Sequence, residues 1–130
     1  MREYVNQGDI YTGTYTPAVS DEVNIDSLTM NEARFIRIGN NITVHGKFNI
    51  DVTTANTLAS FEIDLPEPSN LTSDGDLGGS GNAISSYFGN LQDSNTTIYG
   101  STATNTAKFA IASSVNTGLG CVFSFNYTIK

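Results

Sequence analysis

The sequence predicts an all-β fold, an antiparallel β-sandwich of jelly-roll type with about eight strands. Period-two alternation of apolar and polar residues dominates wherever a period can be assigned. Fourteen Asn and 29 Ser or Thr in 130 residues favour strands, turns and local backbone hydrogen bonds over long helices. Turn-forming Gly, Asn, Asp and Pro recur at spacings of roughly 8 to 15 residues, as expected where short strands follow one another.

Taken in chain order, residues 1–9 form an N-terminal arm and residues 10–130 one sandwich domain. Ile10 to Thr16 and Val23 to Met30 read as strands, and Asn31 to Ala33 hints at a helical turn. Arg34 to Ile38 is rich in β-branched and aromatic residues, and Gly39-Asn40 supplies the positive-φ residues of a tight hairpin turn. Beyond the turn, Ile42, Val44, Gly46, Phe48, Ile50 and Val52 alternate with polar residues, so Asn41 to Thr53 is a long strand with one buried face. Leu58 to Leu65 follows, with Ala59, Phe61, Ile63 and Leu65 inward, Ser60, Glu62 and Asp64 outward, and Pro66 ending it. Glu67 to Gly81 is so dense in turn formers that it predicts a long surface loop. Short strands come next at Ala83 to Phe88, Thr96 to Ser101 and Lys108 to Ser113. Gly120 to Ile129 closes the series, with Cys121, Phe123, Phe125 and Tyr127 on one face.

Charge and motifs narrow the function. With 13 acidic against 6 basic residues the net charge is −7, which repels phosphate backbones, so neither nucleic acid nor an anionic membrane is an expected partner. No run of about 18 apolar residues is present, so no membrane insertion is expected, and the first nine residues lack the apolar core of a signal peptide. Action in the cytoplasm, or release by lysis or assembly rather than by the general secretory route, is the expectation. A single cysteine cannot form an internal disulfide, and Cys121 reads as a small core residue.

Catalysis finds little support, and no enzyme is expected. His45, the single histidine, falls on the polar face of its strand, and Gly78-Gly79-Ser80-Gly81 is followed by Asn82, so no nucleophile elbow forms. Glu62 and Asp64 share a strand face at roughly 6.5 Å, a spacing used in glycoside hydrolysis, but no apolar pocket is evident to raise one pKa. Asp74-Gly75-Asp76 offers two carboxylates where calcium needs six to eight oxygens, so the acids read as solvated turn residues and no metal or cofactor is expected. The four Asn-x-Ser/Thr triplets, at Asn41, Asn70, Asn95 and Asn126, match chance for this composition.

Sugar binding suits the composition best. Such sites pair an aromatic face with Asn, Asp or backbone groups on loops held by a rigid scaffold. Tyr87, Asn90, Asp93, Asn95 and Tyr99 cluster in one polar stretch and form the predicted ligand-binding set.

The segment RFIRIGNNITVHGKFNID from Arg34 to Asp51, the FEIDLP from Phe61 to Pro66 and the closing FSFNYTIK, with TYTP at Thr14 to Pro17, resemble the small C-terminal β-sandwich domains of tailed-bacteriophage fibre and virion surface proteins. The shared positions are Arg34, Phe35, Arg37, Gly39, Asn40, Thr43, Val44, Gly46, Leu65, Pro66, Gly78, Gly79, Phe123, Phe125 and Tyr127. They mark turns and core faces, so no site residue transfers. The resemblance implies a homotrimer on the virion surface that contacts other virion proteins and attaches to a glycan or host receptor. The alternative is a structural decoration or connector with no ligand. Low charge density makes packing around a symmetry axis cheap, because few unpaired ions are buried.

Overall fold

Alternation along the chain becomes pairing between strands. The computed structural model describes residues 10–86, 94–114 and 118–130. Among them run ten strands: β1 (Ile10–Tyr15), β2 (Val19–Val23), β3 (Ile25–Met30), β4 (Ala33–Ile38), β5 (Asn41–Val52), β6 (Ala59–Ile63), β7 (Leu77–Ser86), β8 (Ser94–Ser101), β9 (Thr106–Ser113) and β10 (Leu119–Thr128). Every pairing is antiparallel, in the order β1-β4-β5-β10-β7-β8-β9-β6-β2, with β3 alongside the second half of β5. The predicted all-β antiparallel architecture is what forms, as one strongly curled sheet.

Three details differ from the sequence expectation. Val19–Val23 is an additional strand, because Asn24 adopts φ 60° and turns the chain; β2 then pairs with β6 while β3 pairs with β5. Asn31 to Ala33 is not helical: the Asn31 N–H donates to the Lys47 carbonyl at 3.1 Å, which keeps the chain against β5 between β3 and β4. The glycine-rich end of the expected loop is strand, since β7 begins at Leu77. Those glycines let β7 lie close to β10: a Cβ on Gly79 would sit 2.1 Å from the Ser124 carbonyl oxygen. Composition alone reads such a run as a loop, whereas close backbone approach is the other reason for glycine in a strand.

The inward faces form one core. Ile42, Val44, Phe48, Ile50 and Val52 of β5 are all at most 2% exposed, and Cys121, Phe123, Phe125 and Tyr127 of β10 join them. Phe61 and Phe109 stack at 4.7 Å between centroids, and Phe123 meets Phe109 edge-on at 5.0 Å. Each buried ring removes apolar surface worth roughly 1.5–3 kcal/mol, so this aromatic layer anchors β5, β6, β9 and β10 together. The hairpin from β4 to β5 turns at Gly39, φ 60°, as expected.

The two ends of the sheet meet. Thr16 to Ala18 carry the chain from β1, first in the strand order, to β2, last in it. Asp64 ties this seam: its N–H donates to the Ala18 carbonyl at 3.2 Å, its Oδ1 accepts from the Ala18 N–H at 2.7 Å, and its carbonyl accepts from the Tyr15 hydroxyl at 3.0 Å. The segment after Asp64 is fixed just as closely. Glu67 pairs with Arg37 at 3.0 Å, and the Tyr127 hydroxyl donates to the Glu67 carbonyl at 2.7 Å. Ser69 Oγ donates to the Thr128 carbonyl at 2.9 Å and accepts from the Lys130 N–H at 3.0 Å.

Candidate functional site

Of the predicted ligand-binding set, Tyr87, Asn90 and Asp93 lie outside the described residues. Asn95 and Tyr99 both lie on the outer face of β8, Asn95 exposed and Tyr99 half-buried. They do not form one cluster. Four residues of extended chain separate them by roughly 13 Å, and they face different neighbours: Asn95 is opposite Asn82 and Ala112, Tyr99 opposite Gly78 and Lys108.

Tyr99 instead belongs to a cleft of 450 Å³ whose walls include Thr72, Asp74, Ser101, Thr102 and Lys108. Three elements build it: the end of β8, the start of β9 and the short 3-10 turn Asp74–Asp76. Gly78, opposite Tyr99, contributes no side chain there, and a Cβ on it would meet nothing within 4 Å. The result is one aromatic ring among an anion, a cation and hydroxyls, an arrangement that accepts a polar ligand with an apolar ring face.

The 3-10 turn is held by Ser73 and Asp76, whose side chains bond its backbone. Ser73 caps it by accepting from the Gly75 N–H at 3.1 Å, and Asp76 reaches back in a capping box. Asp76 Oδ2 accepts from the Lys130 ammonium at 2.9 Å, the Thr72 N–H at 2.8 Å and the Ser73 N–H at 3.1 Å. The ammonium first, and then the Thr72 N–H, pull its carboxyl from the ordinary value down to about 2.

Glu62 departs from the sequence expectation. It points to the outer face as the alternation requires, yet it is 5% exposed. β2 flanks it on one side, with Ser20 opposite, and β9 on the other, with Lys108 opposite. The turn after β8 completes the cover: Thr104 Oγ1 donates to Glu62 Oε1 at 2.7 Å and Thr106 Oγ1 at 2.6 Å. Burial works against ionisation. The bonds from Thr106 and Thr104 and the Lys108 charge outweigh it, and the carboxyl is held below its ordinary value. Glu62 therefore does not form the exposed carboxylate pair that the spacing to Asp64 suggested, since Asp64 turns its Oδ1 to Ala18.

No local sequence signal marks Glu62 as buried, because its cover arrives from residues 42 and 44 positions away. The other candidates stand where their strands put them. His45 is exposed on the outer face between Arg34 and Ser124, and Cys121 is fully buried in the core. Among the described residues no group of three or more His, Cys, Asp or Glu is placed to hold a metal ion, and no helix is long and apolar enough to cross a membrane.

Comparison of the chain with known protein families, with curated proteins and with solved structures returns no match. Function therefore rests on the geometry and on the residues themselves.

Proposed function

We propose that this chain is a carbohydrate-binding β-sandwich displayed on the virion of a tailed bacteriophage, where it acts as a trimeric, non-catalytic adhesin for host-surface or mucus glycans. The observation that supports this reading most is the cleft beside Tyr99, where an aromatic ring stands among Asp74, Lys108, Ser101 and Thr102 on elements fixed by the sheet. A pyranose presents the complement, an apolar ring face edged by hydroxyls. A glycan array probed with the purified chain tests the reading, followed by titration of the best sugar. Tyr99→Ala is expected to weaken binding roughly five- to tenfold, the equivalent of about 1–1.4 kcal/mol, with little change in melting temperature because the ring faces outward. Absence of binding to any glycan at millimolar concentration refutes it.

A second reading, a structural virion component without a ligand, draws on exposed apolar residues in and beside the outer strands of the sheet. Ile10 and Ile38 face each other at the start of β1, 39% and 53% exposed, and Val23 and Leu58 are exposed near β2. Such residues suit contact with a neighbouring subunit or virion protein. Light scattering of the purified chain, with and without Ile38→Asp, separates a self-associating domain from a monomer.

A further inference from the structure

The turn between β8 and β9 has a countable supply of protons. Ser101, Thr104 and Thr106 bring three hydroxyls, and four contacts compete for their protons. Thr104 Oγ1 lies 2.7 Å from Glu62 Oε1, 2.9 Å from Ser101 Oγ and 2.8 Å from Thr106 Oγ1, and Thr106 Oγ1 lies 2.6 Å from the same Glu62 oxygen. A hydroxyl has one donor and two acceptor lone pairs. The Thr104 and Thr106 protons are therefore engaged within the network, and these two hydroxyls offer lone pairs to anything that approaches from outside.

A second cleft, of 530 Å³, opens on that side of the turn, with Asp64, Asn70, Thr104, Asn105, Thr106 and Lys130 in its walls. Its unpaired charge is that of Asp64. Asp64 accepts from a neutral donor, the Ala18 N–H, and among the described residues no cation lies within ion-pair distance of it. The Lys130 ammonium is held by Asp76 at 2.9 Å and Thr72 at 3.3 Å. Asn105 Oδ1 accepts from the Leu71 N–H at 2.9 Å, which leaves the amide N–H groups of Asn105 as donors. The walls thus combine a carboxylate and two acceptor-only hydroxyls with a neutral amide.

We infer that this second cleft is a subsite for a sugar carrying a protonated primary amine. An ammonium has three donors and no acceptor, the inverse of what Asp64, Thr104 and Thr106 present, and the ring hydroxyls of the same sugar can accept from the Asn105 amide. Ser101 and Thr102 line the Tyr99 cleft while Thr104 and Thr106 line this one, so a single turn is the wall between them. The inference rests on the glycan reading above and specifies its ligand: an oligosaccharide with free amino groups, one unit beside Tyr99 and another beside Asp64.

Calorimetric titration at about pH 6, where an amine is protonated, and at low salt compares glucosamine oligomers with N-acetylglucosamine oligomers on the whole chain. The free-amine oligomer is expected to bind about fivefold more tightly, as one partly exposed charge pair allows. That preference disappears in Asp64→Asn, which keeps an oxygen for the Ala18 N–H, and persists in Glu32→Gln, which removes the same charge from an exposed site elsewhere. Equal binding of the two oligomers, or a preference that survives Asp64→Asn, overturns the inference and leaves the glycan reading intact. Failure of both oligomers to bind counts against the glycan reading itself. Methylamine competing as strongly as the free-amine oligomer would show a site for amines alone and overturn the assignment to a sugar.

Discussion

Removing the Glu62 carboxylate should loosen the wall between the two clefts, and its size can be worked out in advance. Glu62 is 5% exposed and accepts from Thr104 and Thr106. A hydrogen bond to a charged group contributes roughly 1.5–3 kcal/mol net. In Glu62→Ala, Thr104 can turn to Ser101, 2.9 Å away, and Thr106 to Thr104, 2.8 Å away, but both exchange a charged acceptor for a neutral one and Lys108 loses its cross-strand counter-charge. The expected cost is about 3 kcal/mol, a fall of about 10 °C in Tm for a domain of this length. Glu62→Gln keeps an oxygen in place without the charge and should cost only about 1 kcal/mol. Urea melts at neutral pH, followed by far-ultraviolet circular dichroism, measure both.

The same pair carries a signed pH test. A carboxyl held below its ordinary value in the folded state stabilises fully above the unfolded value of about 4.3, and that contribution is lost as the pH falls through the folded value. Acid should therefore destabilise the wild type more than Glu62→Gln, so the two converge as the pH falls through the folded value. If Glu62→Ala melts within about 0.5 kcal/mol of the wild type, the carboxylate does not hold the turn; if Glu62→Gln costs as much as Glu62→Ala, the charge and not the accepting oxygen holds it.

Gly46→Ala should cost about 2 kcal/mol, since the new methyl would lie 2.6 Å from the Phe123 ring in a filled core. Combining it with Phe123→Leu should recover part of that loss in a double-mutant cycle of chemical melts. Thr96→Val should raise stability by about 1 kcal/mol, because Thr96 Oγ1 is buried with no hydrogen-bond partner among the described residues. Asp76→Asn should lower Tm at neutral pH and flatten the stability profile between about pH 4 and 2, the range over which the wild-type carboxyl takes up its proton.

Much of the fold is legible in the sequence wherever one face of a strand is apolar. The alternations of β5 and β10 name the inward residues correctly, and Gly39-Asn40 places the hairpin between β4 and β5. Legibility fails where a neighbour distant in sequence decides. Glu62 obeys its strand's parity and is still buried, because β2 and the β8–β9 turn close over it. Gly79 looks like loop until β10 is laid against it, and Asn24 looks like strand until its positive φ sends β2 and β3 to different partners. At the candidate site, Tyr99 and Asn95 stand four residues apart on one strand face, while the residues that share a cleft with Tyr99, Asp74 and Lys108, come from other elements that a local reading does not bring together.

The central position of β10 has a consequence for how the domain is made. It lies between β5 and β7, joining the two parts of the sheet, and is the last of the ten described strands in chain order. Until it is in place, the run β1-β4-β5 and the run β7-β8-β9-β6-β2 are not joined, and the β5 and β7 edges that it covers stay open to other strands. The sheet therefore closes late and non-locally. Without β10 the two runs would keep their own pairings and lack the strand that makes them one sheet.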